Sequence, residues 1–94
     1  IYDELLPVRP DVYAACEILG IDPLYIANEG IVLLSVPDYC ADIALKSLRS
    51  TPGGENAAII GEVINGCGNV FSFTEYGTKR RIIIPDGELL PRIC

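Results

Sequence analysis

The stretch Val70-Phe71-Ser72-Phe73-Thr74-Glu75-Tyr76-Gly77-Thr78-Lys79-Arg80-Arg81-Ile82-Ile83-Ile84 decides the fold. Val70 to Tyr76 alternates, with Phe71 and Phe73 on one face and Ser72 and Thr74 on the other, which is the two-residue period of a strand. Gly77-Thr78 interrupts the pattern, and Lys79 to Ile84 follows as the hairpin partner. A turn this short pairs its two strands antiparallel.

Working back from the hairpin, Ala57 to Ile64 is expected to be another strand, with Gly61 marking a bulge or a close backbone approach. Asn65-Gly66-Cys67-Gly68-Asn69 is a turn by composition and places Cys67 near the surface. Ile31 to Val36 is an almost unbroken apolar run, the pattern of a strand covered on both faces. A helix is expected from Pro10, since proline suits a first turn. Its positions Val12, Ala15, Cys16 and Leu19 fall on one buried face, and Gly20 stops it. Pro37 and Asp38 begin a second helix, striped by Ala41, Ala44, Leu45 and Leu48, with Lys46 and Arg49 near its negative end. Ile1 to Val8 is an entering segment, and Leu24 to Ala27 is an extended piece after the Asp22-Pro23 break. The fold class is therefore α+β, with two helices packed on a mostly antiparallel sheet and a flexible C-terminal tail. Residues 1–84 form the domain and 85–94 the tail.

Ninety-four residues make one domain, large enough to bury about two-thirds of its unfolded surface. The net charge of −6 repels phosphate backbones, which argues against nucleic-acid binding. No apolar run approaches the roughly 20 residues that cross a bilayer. There is no histidine and no C-x-x-C pair, so a metal site would need Cys16, Cys40, Cys67 and Cys94 to converge. Cys16 and Cys40 lie on or close to the helix stripes and read as small core residues. The wide cysteine spacing fits a reducing cytoplasm better than a secreted scaffold. The chain holds no methionine, which is the expectation for a piece of a larger protein.

The ending Leu90-Pro91-Arg92-Ile93-Cys94 places a thiol and a terminal carboxylate on one residue. A chain end is weakly constrained, so the sulfur can enter a site and withdraw. The alternative is a chain that merely happens to stop at a cysteine. Arg92 could favour the thiolate, hold the carboxylate, or simply be solvated. Pro85 to Cys94 spans at most ~33 Å when extended, with Gly87 as a hinge and Pro91 stiffening the approach.

Several segments together carry a resemblance. Ala15-Cys16-Glu17-Ile18-Leu19-Gly20, Asp22-Pro23-Leu24-Tyr25, Ala27-Asn28-Glu29-Gly30, and Gly87-Glu88 with Leu90-Pro91-Arg92-Ile93-Cys94 occur in order along the chain. In this the sequence resembles the C-terminal domain of the HypE family of hydrogenase maturation factors, among the aminoimidazole ribonucleotide synthetase-like proteins. The resemblance implies an ATP-dependent carbamoyl dehydratase whose full-length form is a homodimer. HypF would place a carboxamide on Cys94, and dehydration would leave a thiocyanate. The cyanide would then pass to the HypC–HypD complex, for the nickel–iron hydrogenase centre. ATP and Mg would bind in the N-terminal domain, with no cofactor or metal held by this fragment, which alone would be inactive.

Dehydrating an amide removes its oxygen and both N–H protons, so a base must face the arm. The resemblance puts Glu29 in that role, in a turn made by Asn28 and Gly30. Read without it, Glu29 is a polar turn residue. Pro91, Arg92 and Ile93 would support Cys94 in the tail. The rival function is a non-catalytic interaction domain with an incidental Cys94, its contacts made by Phe71, Phe73 or the Lys79-Arg80-Arg81 run. That run could equally protect a strand edge. A third reading is a redox thiol, with Cys67 as the resolving partner of Cys94.

Overall fold

The hairpin forms where the alternation places it, and the N-terminus joins it. The computed structural model describes residues 1–66 and 68–83. Strands β1 (Val70–Phe73) and β2 (Lys79–Ile82) pair antiparallel, with Phe71 opposite Arg81, Ser72 opposite Arg80 and Phe73 opposite Lys79. Both are shorter than the sequence pattern. Gly77 takes φ +80°, and the N–H groups of Thr74 and Gly77 donate to Thr78 and Thr74 carbonyls, closing the turn. Ile1 and Tyr2 lie along the other side of β1: the Phe73 N–H donates to the Ile1 carbonyl at 2.9 Å. Tyr2 in turn donates its N–H to the Ile60 carbonyl at 2.8 Å. The entering segment thus pairs with β1 through a parallel bridge at Tyr2 and Phe73, followed by a single 3₁₀ turn at Asp3–Leu5.

The two faces of β1 are filled by different chemistry. Phe73 stacks on Tyr2 with ring centres 5.7 Å apart, and the Lys79 ammonium sits 4.1 Å from the centre of the Phe71 ring. On the opposite face Ser72 is fully buried, although it is the polar member of the alternation. Burial is tolerable because its hydroxyl accepts a hydrogen bond from Arg80 Nε at 2.8 Å, and Arg80 also reaches Asp3 at 3.4 Å. Two cations of the Lys79-Arg80-Arg81 run are therefore occupied inside the hairpin.

Two compact units contain the described residues, one made of Ile1–Pro7 and Leu34–Ile82, and a second that includes Val8–Leu33. In the first, a 3₁₀ turn at Asp38–Cys40 leads into α2 (Ala41–Arg49), with Asp42 in its first turn and Lys46 and Arg49 in its last. The Thr51 hydroxyl donates to the Ser47 carbonyl, an acceptor the helix end leaves open, and the Ser50 hydroxyl joins its own N–H on the Lys46 carbonyl. Gly54 then presses against this end: a Cβ there would overlap the Leu48 carbonyl. Gly54→Ala is expected to cost about 1–3 kcal/mol and to lower the thermal midpoint accordingly.

In the same turn Glu55 accepts from Gly53 N–H through both carboxylate oxygens, at 3.2 and 3.1 Å. Its own backbone amide, and next that of Gly53, hold its pKa below the ordinary glutamate value. A lowered folded-state pKa means the turn gains stability above the unfolded pKa and loses it as pH falls through the folded one. Titration followed at the Gly53 amide by NMR should show the turn loosening only in acid.

The second unit contains α1 (Pro10–Leu19), with proline in its first turn. Gly20 ends it at φ +69°, and the Gly20 and Ile21 N–H groups donate to the Glu17 and Cys16 carbonyls. Cys16 is buried as expected, but Leu19 on the same stripe is 68% exposed. Periodicity fixes which residues share a face; it does not supply a cover for them.

Two expected strands and the extended piece at Leu24 to Ala27 are corrected. Pro23–Tyr25 is a 3₁₀ turn, because Asp22 Oδ1 accepts from the Leu24 N–H and winds the chain tightly. Residues 31–36 and 57–64 are apolar but enter no strand among the described residues. Val32 is 75% exposed and Val63 85%. The β-branched composition signals a demand for pairing and burial, which this stretch of chain does not meet by itself. The α+β class stands, with two helices and an antiparallel hairpin. The 85–94 tail lies outside the described residues.

Candidate functional site

Glu29 is positioned by a chain of local devices. The left-handed Gly20 turns the backbone off α1, Asp22 caps the 3₁₀ turn Pro23–Tyr25, and that turn packs against α1. The Ile26 N–H donates to the Pro23 carbonyl at 3.3 Å, closing this turn. Ala27 and Asn28 then lead to a bend at Glu29–Gly30, where Gly30 takes φ +76°. Only Gly30 uses left-handed backbone; Asn28, expected to tolerate it, keeps negative φ. A Cβ at Gly30 would meet nothing within 4 Å, so the requirement for glycine is conformational.

Ala27 to Gly30 are exposed, and Glu29 makes no hydrogen bond or ion pair with the described residues. A carboxylate held out on a defined bend is available to a group delivered to it. Asp22 is the contributor that sequence reasoning understated: it was legible as a break in chain direction, and its side chain sets the turn that leads to the bend.

Cys94, Arg92, Pro91 and Ile93 lie outside the described residues, as does Cys67, so neither the Glu29–Cys94 pairing nor the Cys67–Cys94 redox pair has a geometry here. Cys16 and Cys40 are free thiols, one buried and one half-buried. Among the described residues no group of three or more Cys, Asp or Glu side chains could hold a metal ion, and no helix is long and apolar enough to cross a membrane.

No family model matches the sequence. Individual relatives do. The chain is 43% identical over 95 residues to the carbamoyl dehydratase HypE of Rhodobacter capsulatus, covering 100% of this chain and 28% of that protein. It is 46% identical over 89 residues to the Escherichia coli carbamoyl dehydratase HypE, covering 95% and 26%. The crystal structure of E. coli HypE superposes with a TM-score of 0.90 at 45% identity, over 100% of this chain and 29% of that one. A HypE in a crystallised HypE–HypF complex matches at TM-score 0.84 and 46% identity, over 90% and 28%. Another, crystallised with ATP, matches at 0.87 and 38%, over 100% and 30%. The chain thus spans little more than a quarter of the length of these relatives. Along essentially its whole length, this chain belongs to the HypE family of hydrogenase maturation proteins.

Proposed function

We propose that this chain is the C-terminal domain of a carbamoyl dehydratase of the HypE type, with residues 1–84 as its body and 85–94 as a carrier arm. The observation that carries the reading is identity of 42–47% to HypE proteins, over 95–100% of the chain. Cys94 is the acceptor. Its thiolate attacks the carbonyl carbon of an activated carbamoyl group presented by HypF, forming an S–C bond and releasing the carrier group. The product, S–C(=O)–NH2, becomes S–C≡N by loss of one water, which takes the amide oxygen and both nitrogen-bound protons. Glu29, exposed on its bend, accepts a proton from that nitrogen when the arm brings it within hydrogen-bond reach. Arg92, beside the sulfur in sequence, favours the thiolate form, while Pro91 and Ile93 shape its approach.

ATP and Mg belong to other parts of the protein in this reading. No residue of this chain is assigned to holding either one. The fragment alone is then inactive. The partners are HypF and the HypC–HypD complex, the full-length protein is a homodimer, and the setting is the cytoplasm.

The double replacement Cys94→Ala with Glu29→Ala in the full-length protein tests the assignment. Loss of ATP-dependent cyanation on incubation with HypF and carbamoyl phosphate is the expected result; retained cyanation overturns the site.

A further inference from the structure

Asparagine stands at positions 28, 56, 65 and 69, and the residue that follows it differs each time. An asparagine side-chain amide is lost when the backbone nitrogen of the next residue attacks its carbonyl carbon. That nitrogen must be unhindered and free to give up its proton. Ala57, after Asn56, already donates its N–H to the Gly54 carbonyl at 3.0 Å. Val70, after Asn69, is β-branched and lies in β1 opposite Ile82. Glu29, after Asn28, sets a side chain beside the attacking nitrogen. Asn65 alone is followed by glycine. Both Asn65 and Gly66 are exposed to water, on a bend outside any helix or strand. Neither makes a hydrogen bond with the described residues. A Cβ on Gly66 would meet nothing within 4 Å, so the approach to its nitrogen is open.

We infer that Asn65-Gly66 is a modification site, at which Asn65 converts to aspartate and isoaspartate, and the isoaspartate is the substrate of an isoaspartyl methyltransferase. The Gly66 nitrogen bonds to Asn65 Cγ, the Cγ–Nδ2 bond breaks, and ammonia leaves carrying the Gly66 proton. Water then opens the five-membered imide. Breaking the bond from nitrogen to Cγ gives aspartate. Breaking the bond from nitrogen to the Asn65 main-chain carbonyl carbon gives isoaspartate, with its α-carboxylate set free. That carboxylate takes a methyl group from S-adenosylmethionine, an O–C bond forming as the donor's S–C bond breaks. Before methylation, either product adds a negative charge ahead of β1, and isoaspartate also adds one carbon to the main chain there. None of this chemistry involves Cys94 or Glu29, so it stands or falls apart from the carrier arm.

Full-length protein, held folded in mildly alkaline buffer and sampled over days, provides the test. Peptide mapping follows each asparagine, and isoaspartyl methyltransferase with methyl-labelled S-adenosylmethionine reports the isoaspartate. Asn65 is expected to convert about tenfold or more faster than Asn28, Asn56 or Asn69, with the label confined to its peptide. Gly66→Ala should bring Asn65 down to the rate of the others. The fold should be unaffected, because Gly66 is not in the left-handed region and has room for a methyl group. Retention of the Asn65 amide in the folded protein would overturn the inference. So would a Gly66→Ala protein that converts as fast as wild type, or label carried by a different asparagine's peptide.

Discussion

Cys94→Ser in the full-length protein is expected to abolish carboxamide loading, by about three orders of magnitude or more, while binding to HypF is unchanged. The two side chains differ by one atom, so shape cannot account for such a loss. A thiol carries a useful fraction of thiolate near neutral pH, which a cation beside it would increase, the role proposed for Arg92; a serine hydroxyl ionises far less without a strong base beside it. Loading is read by intact mass after incubation with HypF and carbamoyl phosphate, and binding by a separate titration. Loss of loading with binding retained is the signature of an acceptor. If binding is unchanged and wild type carries no adduct either, the interaction-domain reading takes over.

Glu29→Gln is expected to slow dehydration about 10²- to 10⁴-fold while leaving loading intact, so that the carboxamide accumulates on sulfur. Glutamine keeps the length and shape of the side chain and removes its ability to accept a proton. Because Gly30 and the Asp22-capped turn hold the bend, the substitution leaves the local backbone in place. Rapid-quench mass spectrometry separates the two steps. Dehydration at the wild-type rate would leave Glu29 as an exposed residue of a bend.

The hairpin, both helices and the Gly20 stop were legible because each depends on contacts within a few residues. Alternation at Val70–Phe73, the proline at the start of α1 and the left-handed glycine after it act locally. The fate of 31–36 and 57–64 was not legible, since the same apolar run serves a paired strand or one awaiting a partner. Ser72 shows the limit in reverse. Alternation put it on the polar face, but Ser72 is itself fully buried, its hydroxyl accepting from Arg80 of the opposite strand with Asp3 beyond it. At the candidate site the Gly30 bend was readable from composition. The role of Asp22 was not, because capping depends on side-chain geometry that the Asp-Pro pair only permits.

Peptide mapping of the wild-type full-length protein tests the central claim most directly, with HypF and carbamoyl phosphate added first and ATP second. A carboxamide confined to the Cys94 peptide, converted there to a thiocyanate once ATP is present, is the predicted result. An adduct on Cys16, Cys40 or Cys67, or none on Cys94 while the hydrogenase cyanide ligand is still produced, would contradict it.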